Sequence, residues 1–308
     1  MKLTITTFFL LCLCVPAPAV SAGKTHKDFV QEGSYVSFDI YRLFHICKGD
    51  QEPTVIIEPG IGGSLANWFP VQEALSPELR TCLYDRAGYG MSYEGSGART
   101  ASQIAGELAA MIRSAKIPGP YILVGHSFGG YVVQYFAKKQ MADLAGVVLV
   151  DSSHPDQVQR LAGLDEIGDT YRHIVNGPVT IRSGEFSDAK DFWNMLNGQR
   201  KSIFTQMYEL KYFGESADEV RDAGAFPDIP LAVITRDREL LPTTVDGHSY
   251  EMEWQDMQKE LVNLSSHSWQ TIARNSSHAI HMDDPDLLVS EILRIRDMYR
   301  ELSGSTLK

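Results

Sequence analysis

The sequence contains little cysteine, and it has no group of histidine and cysteine residues at the spacing of metal ligands. Four cysteines occur in 308 residues. Two of them lie within the first 22 residues, so that Cys47 and Cys82 remain. We expect neither a metal nor an organic cofactor. In an exported protein an isolated cysteine pair is a disulfide candidate, and two buried free thiols are the alternative.

Basic residues are in the minority. The 28 lysines and arginines face 39 aspartates and glutamates, which gives a formal net charge of -11. This balance argues against nucleic acid or an anionic membrane as a partner. Charge blocks, internal repeats and low-complexity stretches do not stand out. The sequence leaves the oligomeric state open.

An apolar run near the N-terminus, Leu3–Val15, is too short to span a bilayer comfortably. Lys2 precedes this run, and small residues follow it up to Val20-Ser21-Ala22. A basic start, a short apolar centre and small residues at the end are typical of a secretory signal peptide. We therefore predict cleavage after Ala22, with Ala17-Pro18-Ala19 as a second site. The protein is then exported, to the periplasm or as a secreted protein, without a stable membrane anchor.

Strand patterns alternate with helical patterns over most of the remaining chain. The predicted strands are Ser34–Ile40, Tyr41–Cys47, Thr54–Glu58, Thr81–Tyr84, Ile122–Val124, Leu144–Val150, Pro230–Thr235 and Ser268–Ala273. Such alternation predicts an α/β fold with a mostly parallel sheet and helices on both faces. Residues 155–226 contain amphipathic fragments but no convincing buried strand. After a signal peptide over 1–22, we predict a core of residues 23–154 and 227–308 that carries 155–226 as a helical cap.

The predicted strand at Ile122–Val124 leads directly into Gly125-His126-Ser127-Phe128-Gly129, and a helical pattern follows. A Gly-x-Ser-x-Gly sequence between a buried strand and a helix presents a serine hydroxyl at the edge of a sheet. The two glycines lack a Cβ, so that strand and helix can approach closely around a strained serine. We predict that Ser127 is a nucleophile and that the Phe128 amide points toward a developing oxyanion.

Several motifs, in this order along the chain, resemble those of the α/β-hydrolase superfamily over nearly the whole mature length. Besides the serine turn they are Pro59–Ser64 with Trp68, Tyr84–Ser92, and Asn275–His281 followed by Asp284-Pro285. The first resembles the oxyanion loop of the family, here with proline where histidine is common. The cap-bearing esterase and proline-iminopeptidase-like branch is the most similar. The resemblance implies an α/β-hydrolase fold, in which an eight-stranded, mostly parallel sheet carries a helical cap.

The segment Asn275–His281 resembles the part of the family that carries the catalytic histidine. His278 follows the last predicted strand, where a loop can return to the serine, and we prefer it as the general base. His281 and His126 are expected to have structural roles. His154 is a candidate for lining the pocket.

The acid of the triad has three candidates. Asp237 follows the seventh predicted strand, where the family usually carries its acid, and it is preferred. Asp151 at the end of the sixth strand and Glu239 remain open. All three satisfy the chain order of serine, acid and histidine.

The predicted function is hydrolysis of a small ester or lactone through an acyl-enzyme on Ser127. The Phe128 and Ile61 amides are expected to hold the oxyanion, with the Gly62 amide as a substitute. A serine at this turn disfavours the epoxide-hydrolase and dehalogenase branches, which use aspartate there. No metal is required.

Two other functions remain open. An aminopeptidase of the proline-iminopeptidase type cleaves short peptides and needs acidic cap residues to hold a substrate ammonium. The available acidic residues are Glu185, Asp188, Asp191, Glu209, Glu215 and Asp218. A non-catalytic protein that keeps the fold to bind a ligand is the other alternative.

Overall fold

A computed structural model of the chain describes residues 31–95, 97–161, 199–237, 244–245 and 248–304. The predicted signal peptide lies outside these residues. No described helix is long and apolar enough to cross a membrane.

Eight strands form the main sheet. Their bounds are β1 Ser34–Phe38, β2 Tyr41–Lys48, β3 Thr54–Glu58, β4 Thr81–Tyr84, β5 Tyr121–His126, β6 Leu144–Val150, β7 Leu231–Arg236 and β10 Ser268–Ala273. Their order in the sheet is β1-β2-β4-β3-β5-β6-β7-β10. The β1–β2 and β2–β4 pairs are antiparallel, and the other pairs are parallel. The predicted eight-stranded, mostly parallel sheet is confirmed. Two short strands, β8 Thr244–Val245 and β9 His248–Ser249, pair separately.

Helices separate the strands from β3 onward. Their bounds are α1 Phe69–Leu75, α2 Ala101–Ser114, α3 Gly129–Lys138, α4 Gln157–Arg160, α5 Arg200–Lys211, α6 Phe213–Asp222, α7 Tyr250–Val262, α8 Ile280–Asp283 and α9 Pro285–Leu302. Local sequence fixes where two of them begin. Thr100 accepts a hydrogen bond from Gln103 N at the start of α2. Asp284 accepts one from Leu287 N at the start of α9, directly before a proline at the first helical position.

The core lies on both faces of the sheet. Leu108 of α2, Phe136 of α3 and Leu261 of α7 belong to one apolar cluster, while Val71 of α1 and Leu288 of α9 belong to a second. Every residue of β3, β4, β5 and β7 is buried. Strands that are covered on both faces have continuous apolar sequences, which is why they could be predicted as strands.

Helices α4, α5 and α6 lie between β6 and β7, within the predicted cap. Residues 162–198 lie outside the described part of the chain, so that the cap over 155–226 stays a prediction as a unit. The described part of this segment, residues 155–161 and 199–226, contains helices and no strand.

The two cysteines that follow the predicted signal peptide form a disulfide. Cys47 of β2 and Cys82 of β4 lie directly opposite each other in the antiparallel register, with their Cα atoms 4.0 Å apart. The bond therefore joins neighbouring strands of the main sheet, and it settles the alternative between a disulfide and two free thiols.

Candidate active site

Ser127 lies in the turn between β5 and α3, with a positive φ of 53°. A residue other than glycine seldom adopts this left-handed conformation, and it persists only where the surroundings fix it. Ser127 N donates to Val150 O at 3.1 Å, and Ser127 O accepts from Ser153 N at 3.0 Å. The strained serine turn is thus fastened to the end of β6.

Close backbone packing brings the loop after β3 next to this turn. A Cβ on Gly129 would lie 2.3 Å from Glu58 O and 2.5 Å from Pro59 O, which are both backbone atoms. A Cβ on Gly60 would lie 3.1 Å from Ser127 Cβ. Glycine at these positions therefore allows the serine and the predicted oxyanion loop to lie side by side.

His278 lies in the loop between β10 and α8, beside the serine turn. His126, the residue before Ser127, donates from Nε2 to the His278 carbonyl oxygen at 2.8 Å. The ring centroids of these two histidines are 4.7 Å apart. His278 Nδ1 donates to Asp151 Oδ2 at 2.6 Å. Since Nδ1 is bonded to a carboxylate, Nε2 is the ring nitrogen that can act as a base.

Asp151 directly follows β6, is fully buried and has a positive φ of 41°. Besides His278, its carboxylate accepts hydrogen bonds from Arg236 Nη1 at 2.6 Å and Trp254 Nε1 at 2.7 Å. Burial raises the pKa of Asp151, but the charge of Arg236 and the hydrogen bond from His278 outweigh burial and hold that pKa well below its usual range. Asp151 is therefore an ionised carboxylate that orients His278.

The preference for Asp237 as the partner of His278 requires a correction. Asp237 accepts a hydrogen bond from Asn275 N at 3.4 Å, whereas Asp151 contacts the His278 ring. The reason is the order of the strands: β6, which precedes Asp151, lies next to β5, and β7 lies one strand farther from the serine. Glu239, the third candidate, lies outside the described residues.

The two predicted oxyanion donors come from different segments of the chain. Phe128 is at the start of α3 and Ile61 is in the loop after β3. Within the described part of the chain, neither amide has a hydrogen-bond acceptor. The Gly62 amide, in contrast, donates to Tyr89 Oη at 3.2 Å, so that it is already used. Two unpaired amides near a serine can stabilise an oxyanion.

The neighbouring histidines are packed against one another. The His281 ring stacks on Trp68 with centroids 4.2 Å apart. Burial, reinforced by the charge of His278, lowers the pKa of His126 to about 3. Burial lowers the pKa of His281 well below its usual value as well. Both rings are therefore neutral at pH 7 and hold the His278 loop by packing.

His154 lies at the start of the segment between β6 and β7 and is buried. Its Nδ1 accepts a hydrogen bond from Asp156 N at 3.1 Å, and its Nε2 lies 3.6 Å from Glu260 Oε2. A histidine with two carboxylates could hold a cation. Here Arg221 pairs with the Asp156 carboxylate at 2.9 Å and Arg160 with that of Glu260 at 2.7 Å, so that two positive charges already occupy this cluster. The role of His154 in lining a pocket stays a prediction.

Sequence reasoning missed the residues that hold Asp151 and the oxyanion loop in place. Arg236 and Trp254 hold Asp151, and Arg86 contacts the oxyanion loop. Arg236 ends a strand and Trp254 lies within a helix, so that no local pattern distinguishes them. Arg86 lies within the motif Tyr84–Ser92, whose sequence does not indicate a contact with the oxyanion loop.

The comparisons with known proteins agree with this fold. A family model described as the Alpha/beta hydrolase family matches residues 55–291. The uncharacterised protein YqjL of Bacillus subtilis is 27% identical over 241 residues, which cover 78% of this chain and 82% of that protein. A Hormonema carpetanum protein named "Probable transporter efuK" is 34% identical over 300 residues, covering 86% of this chain but only 42% of that protein.

Solved structures share the fold at low sequence identity. The enol-lactonase from Burkholderia xenovorans has a TM-score of 0.58 at 16% identity, with coverage of 86% of this chain and 100% of that chain. A candidate epoxide hydrolase from Pseudomonas aeruginosa has a TM-score of 0.66 at 18% identity, with coverage of 87% and 97%. At such identities the similarity is one of fold, and the chemistry has to be argued from the site.

Proposed function

This chain belongs to the alpha/beta hydrolase family, and from that premise we propose that it is a serine hydrolase. The proposed reaction is cleavage of a small ester or lactone through an acyl-enzyme on Ser127. The observation that carries the proposal is the hydrogen bond between His278 Nδ1 and the buried Asp151 carboxylate, beside a serine at a positive φ. A nucleophile, a base and an orienting acid are the groups that such acyl transfer needs.

In the proposed mechanism His278 Nε2 takes the proton of the Ser127 hydroxyl as its oxygen attacks the substrate carbonyl. The Ile61 and Phe128 amides hold the negative oxygen of the tetrahedral intermediate. The imidazolium then gives its proton to the leaving alkoxide, which leaves an ester on Ser127. Water, deprotonated by the same histidine, hydrolyses that ester and restores the serine. Asp151 stabilises the imidazolium and fixes its orientation throughout.

Two features support an ester or lactone over an epoxide. The residue at the turn is serine, and the Ile61 and Phe128 amides suit an oxyanion. The aminopeptidase alternative needs a carboxylate in the cap that is available to a substrate ammonium. Among the described candidates, Glu209 is bonded to Arg86 and Tyr89, and Asp218 is paired with Arg221, whereas Glu215 is exposed. The pairings weigh against Glu209 and Asp218 in that role, and Glu185, Asp188 and Asp191 lie outside the described residues.

A fluorophosphonate probe tests the proposal directly, because it labels an activated serine covalently. We expect labelling of the wild type that is lost in Ser127→Ala. Ser153→Ala is the matched control, since Ser153 is buried and its amide contacts the Ser127 carbonyl. Labelling should persist in this control. A wild type that does not react favours the non-catalytic binding protein.

Hydrolysis rates then separate the two enzymatic alternatives. p-Nitrophenyl esters of increasing acyl length and simple lactones are compared with prolyl arylamides, each with Ser127→Ala as the blank. We expect Ser127-dependent turnover of esters or lactones and none of the arylamides. Preferential turnover of prolyl arylamides would contradict the proposed ester or lactone hydrolysis and favour the aminopeptidase.

We also propose that the protein is exported after cleavage of residues 1–22. The disulfide between Cys47 and Cys82 supports this proposal, because disulfides persist in oxidising compartments. Mass spectrometry of the N-terminal peptide from the extracellular or periplasmic fraction tests it. We expect a mature chain that begins at Gly23. An intact Met1 in protein recovered only from the cytoplasm contradicts export.

A further inference from the structure

Helix α5 turns a polar face toward the protein. Its buried residues are Ser202, Thr205, Gln206 and Glu209. Phe204 and Tyr208 of the same helix are 36% and 45% exposed. A surface helix ordinarily buries its apolar side. In the described part of the chain α5 does the reverse, and among its buried polar residues Glu209 makes three hydrogen bonds to the core.

Glu209 is a fully buried carboxylate that binds two side chains of the core. Arg86 donates to it from Nε and from Nη2, each at 3.0 Å, in a two-pronged arrangement. Tyr89 Oη donates to Glu209 Oε2 at 2.7 Å. A buried carboxylate with three such donors is strongly held, and so are the groups that it binds.

The remaining N–H groups of Arg86 donate hydrogen bonds to β3 and to the loop that follows this strand. Nη1 donates to Glu58 Oε1 at 2.8 Å and also to Pro59 O, and Nη2 donates to Gly60 O at 2.9 Å. A guanidinium has five N–H donors, and Glu209 and these three acceptors use all of them. Arg86 therefore cannot turn without breaking a hydrogen bond to the loop.

Tyr89 binds the same loop from the other side of Ile61. The Tyr89 hydroxyl oxygen accepts a hydrogen bond from Gly62 N at 3.2 Å, and the same hydroxyl donates one to Glu209. The peptide groups on both sides of Ile61 are thus held by Arg86 and Tyr89, and Glu209 holds both of these side chains. The Ile61 amide remains for the oxyanion.

We infer that Glu209, which lies on helix α5 outside the core sheet, is a positioning residue for the oxyanion hole. Through Arg86 and Tyr89 it fixes the peptide that carries the Ile61 amide. The effect of Glu209 on the rate rests on the proposed function, since that effect requires an oxyanion to form when Ser127 attacks the substrate. A donor held at the transition-state position contributes to the rate rather than to ground-state binding.

Glu209→Gln tests this inference, with Glu219→Gln as the matched control. Glu219 lies in α6, and its carboxylate accepts from Ser102 N and Oγ of α2, away from the oxyanion loop. In Glu209→Gln we expect kcat on a p-nitrophenyl ester to fall about 10-fold to 100-fold with KM changed by less than about twofold. The affinity for a boronic acid, which mimics the tetrahedral intermediate, should fall with kcat. In Glu219→Gln all three quantities should stay at wild-type values.

Hydrogen exchange gives a readout that does not depend on activity. We expect peptides that span residues 59–64 to exchange faster in Glu209→Gln but not in Glu219→Gln. Unchanged exchange in Glu209→Gln, or faster exchange with wild-type kcat, overturns the inference. If the wild type shows no Ser127-dependent turnover, the proposed function fails, and exchange alone decides whether Glu209 holds the loop.

Tyr89→Phe keeps the test decisive if Glu209→Gln does not fold. This change removes only the hydroxyl that joins Glu209 to the Gly62 amide and leaves the pair of Glu209 with Arg86 in place. We expect the same split between kcat and KM, with a smaller fall in kcat, and faster exchange in residues 59–64. Wild-type kcat together with wild-type exchange in a folded Tyr89→Phe protein contradicts the inference.

Discussion

The carboxylate of Asp151 accepts a hydrogen bond from His278 Nδ1. Changing this carboxylate to an amide therefore tests whether Asp151 is the acid of the proposed triad. In Asp151→Asn the amide group can favour the wrong tautomer of His278, with the proton on Nε2. We expect kcat to fall on the order of 10³-fold to 10⁴-fold for a p-nitrophenyl ester. Asp237→Asn, which alters the acid that does not contact the ring, should stay within about twofold of the wild type. The reverse ranking would falsify the assignment of Asp151.

Arg236 shares Asp151 Oδ2 with His278, and it also pairs with the buried Glu251. Removing its charge in Arg236→Met leaves Asp151 free to stabilise a protonated His278 more strongly. The acidic limb of the pH profile of kcat/KM should therefore move to higher pH by up to about one unit. Breaking this buried ion pair should also lower the free energy of unfolding by about 3–5 kcal/mol.

Exposed Arg274, in the loop before His278, provides the control for this change. Arg274→Met should leave both the pH profile and the urea midpoint near those of the wild type. An acidic limb that stays in place in a folded Arg236→Met protein contradicts the electrostatic role of Arg236.

The choice between the two aspartates shows what the sequence could not supply at this scale. Both Asp151 and Asp237 follow a strand and precede His278 in the chain, so that order alone cannot separate them. The direction of the Arg236 and Trp254 side chains and the adjacency of β6 to β5 decide which carboxylate meets the ring. These are properties of the folded sheet, whereas the positive φ of Ser127 follows from a local motif.

Helix α3 and strand β3 meet at Gly129, the residue after Phe128, whose amide is a predicted oxyanion donor. Gly129→Ala adds a Cβ 2.3 Å from a backbone oxygen of β3, so that the helix must move. We expect a loss of about 1–3 kcal/mol in the free energy of unfolding, measured in urea, together with lower kcat. Gly106→Ala in α2 is the control, because nothing lies within 4 Å of its added Cβ. This change should stabilise the protein by about 0.5–1 kcal/mol. Equal effects of the two substitutions would contradict the close approach.

At the scale of elements, burial explains which parts of the fold were predictable. The inner strands are apolar throughout because both their faces are covered, and helix starts such as Thr100 carry their own capping signal. The strand predicted at Ile122–Val124 extends to Tyr121–His126, since its ends are buried as well. The sequence could not predict which face of helix α5 is buried, because the buried face is polar.

At the scale of the whole molecule, contacts between distant parts of the chain escape any local pattern. Arg86 and Glu209 are 123 residues apart, yet they share a buried ion pair. A motif can indicate that Arg86 lies near a tight turn, but only the folded chain identifies the carboxylate that faces it. The same holds for His278 and Asp151, which are 127 residues apart.

Buried titratable groups throughout the molecule make its stability depend on pH. Burial lowers the pKa of His126 to about 3 and that of His281 well below its usual value, as it also does for His45 and His154. The unfolded histidines titrate near pH 6.5, so that below this pH the unfolded state binds more protons and stability is lost. Asp85 opposes this trend: burial raises its pKa to about 6, and stability falls as the pH rises from about 4 to 6.

His281 isolates the histidine contribution, since it does not adjoin Ser127 in the chain and its ring is buried against Trp68. In the wild type, unfolding lets His281 take up a proton below about pH 6.5, and the neutral glutamine of His281→Gln removes this uptake. Each such histidine changes the free energy of unfolding by about 1 kcal/mol between pH 6.5 and 5.5. We therefore expect the difference in unfolding free energy between pH 7 and pH 5.5, measured in urea, to shift by about 1 kcal/mol toward greater relative stability in acid. The same pH dependence in wild type and His281→Gln would show that His281 is not held neutral by the fold.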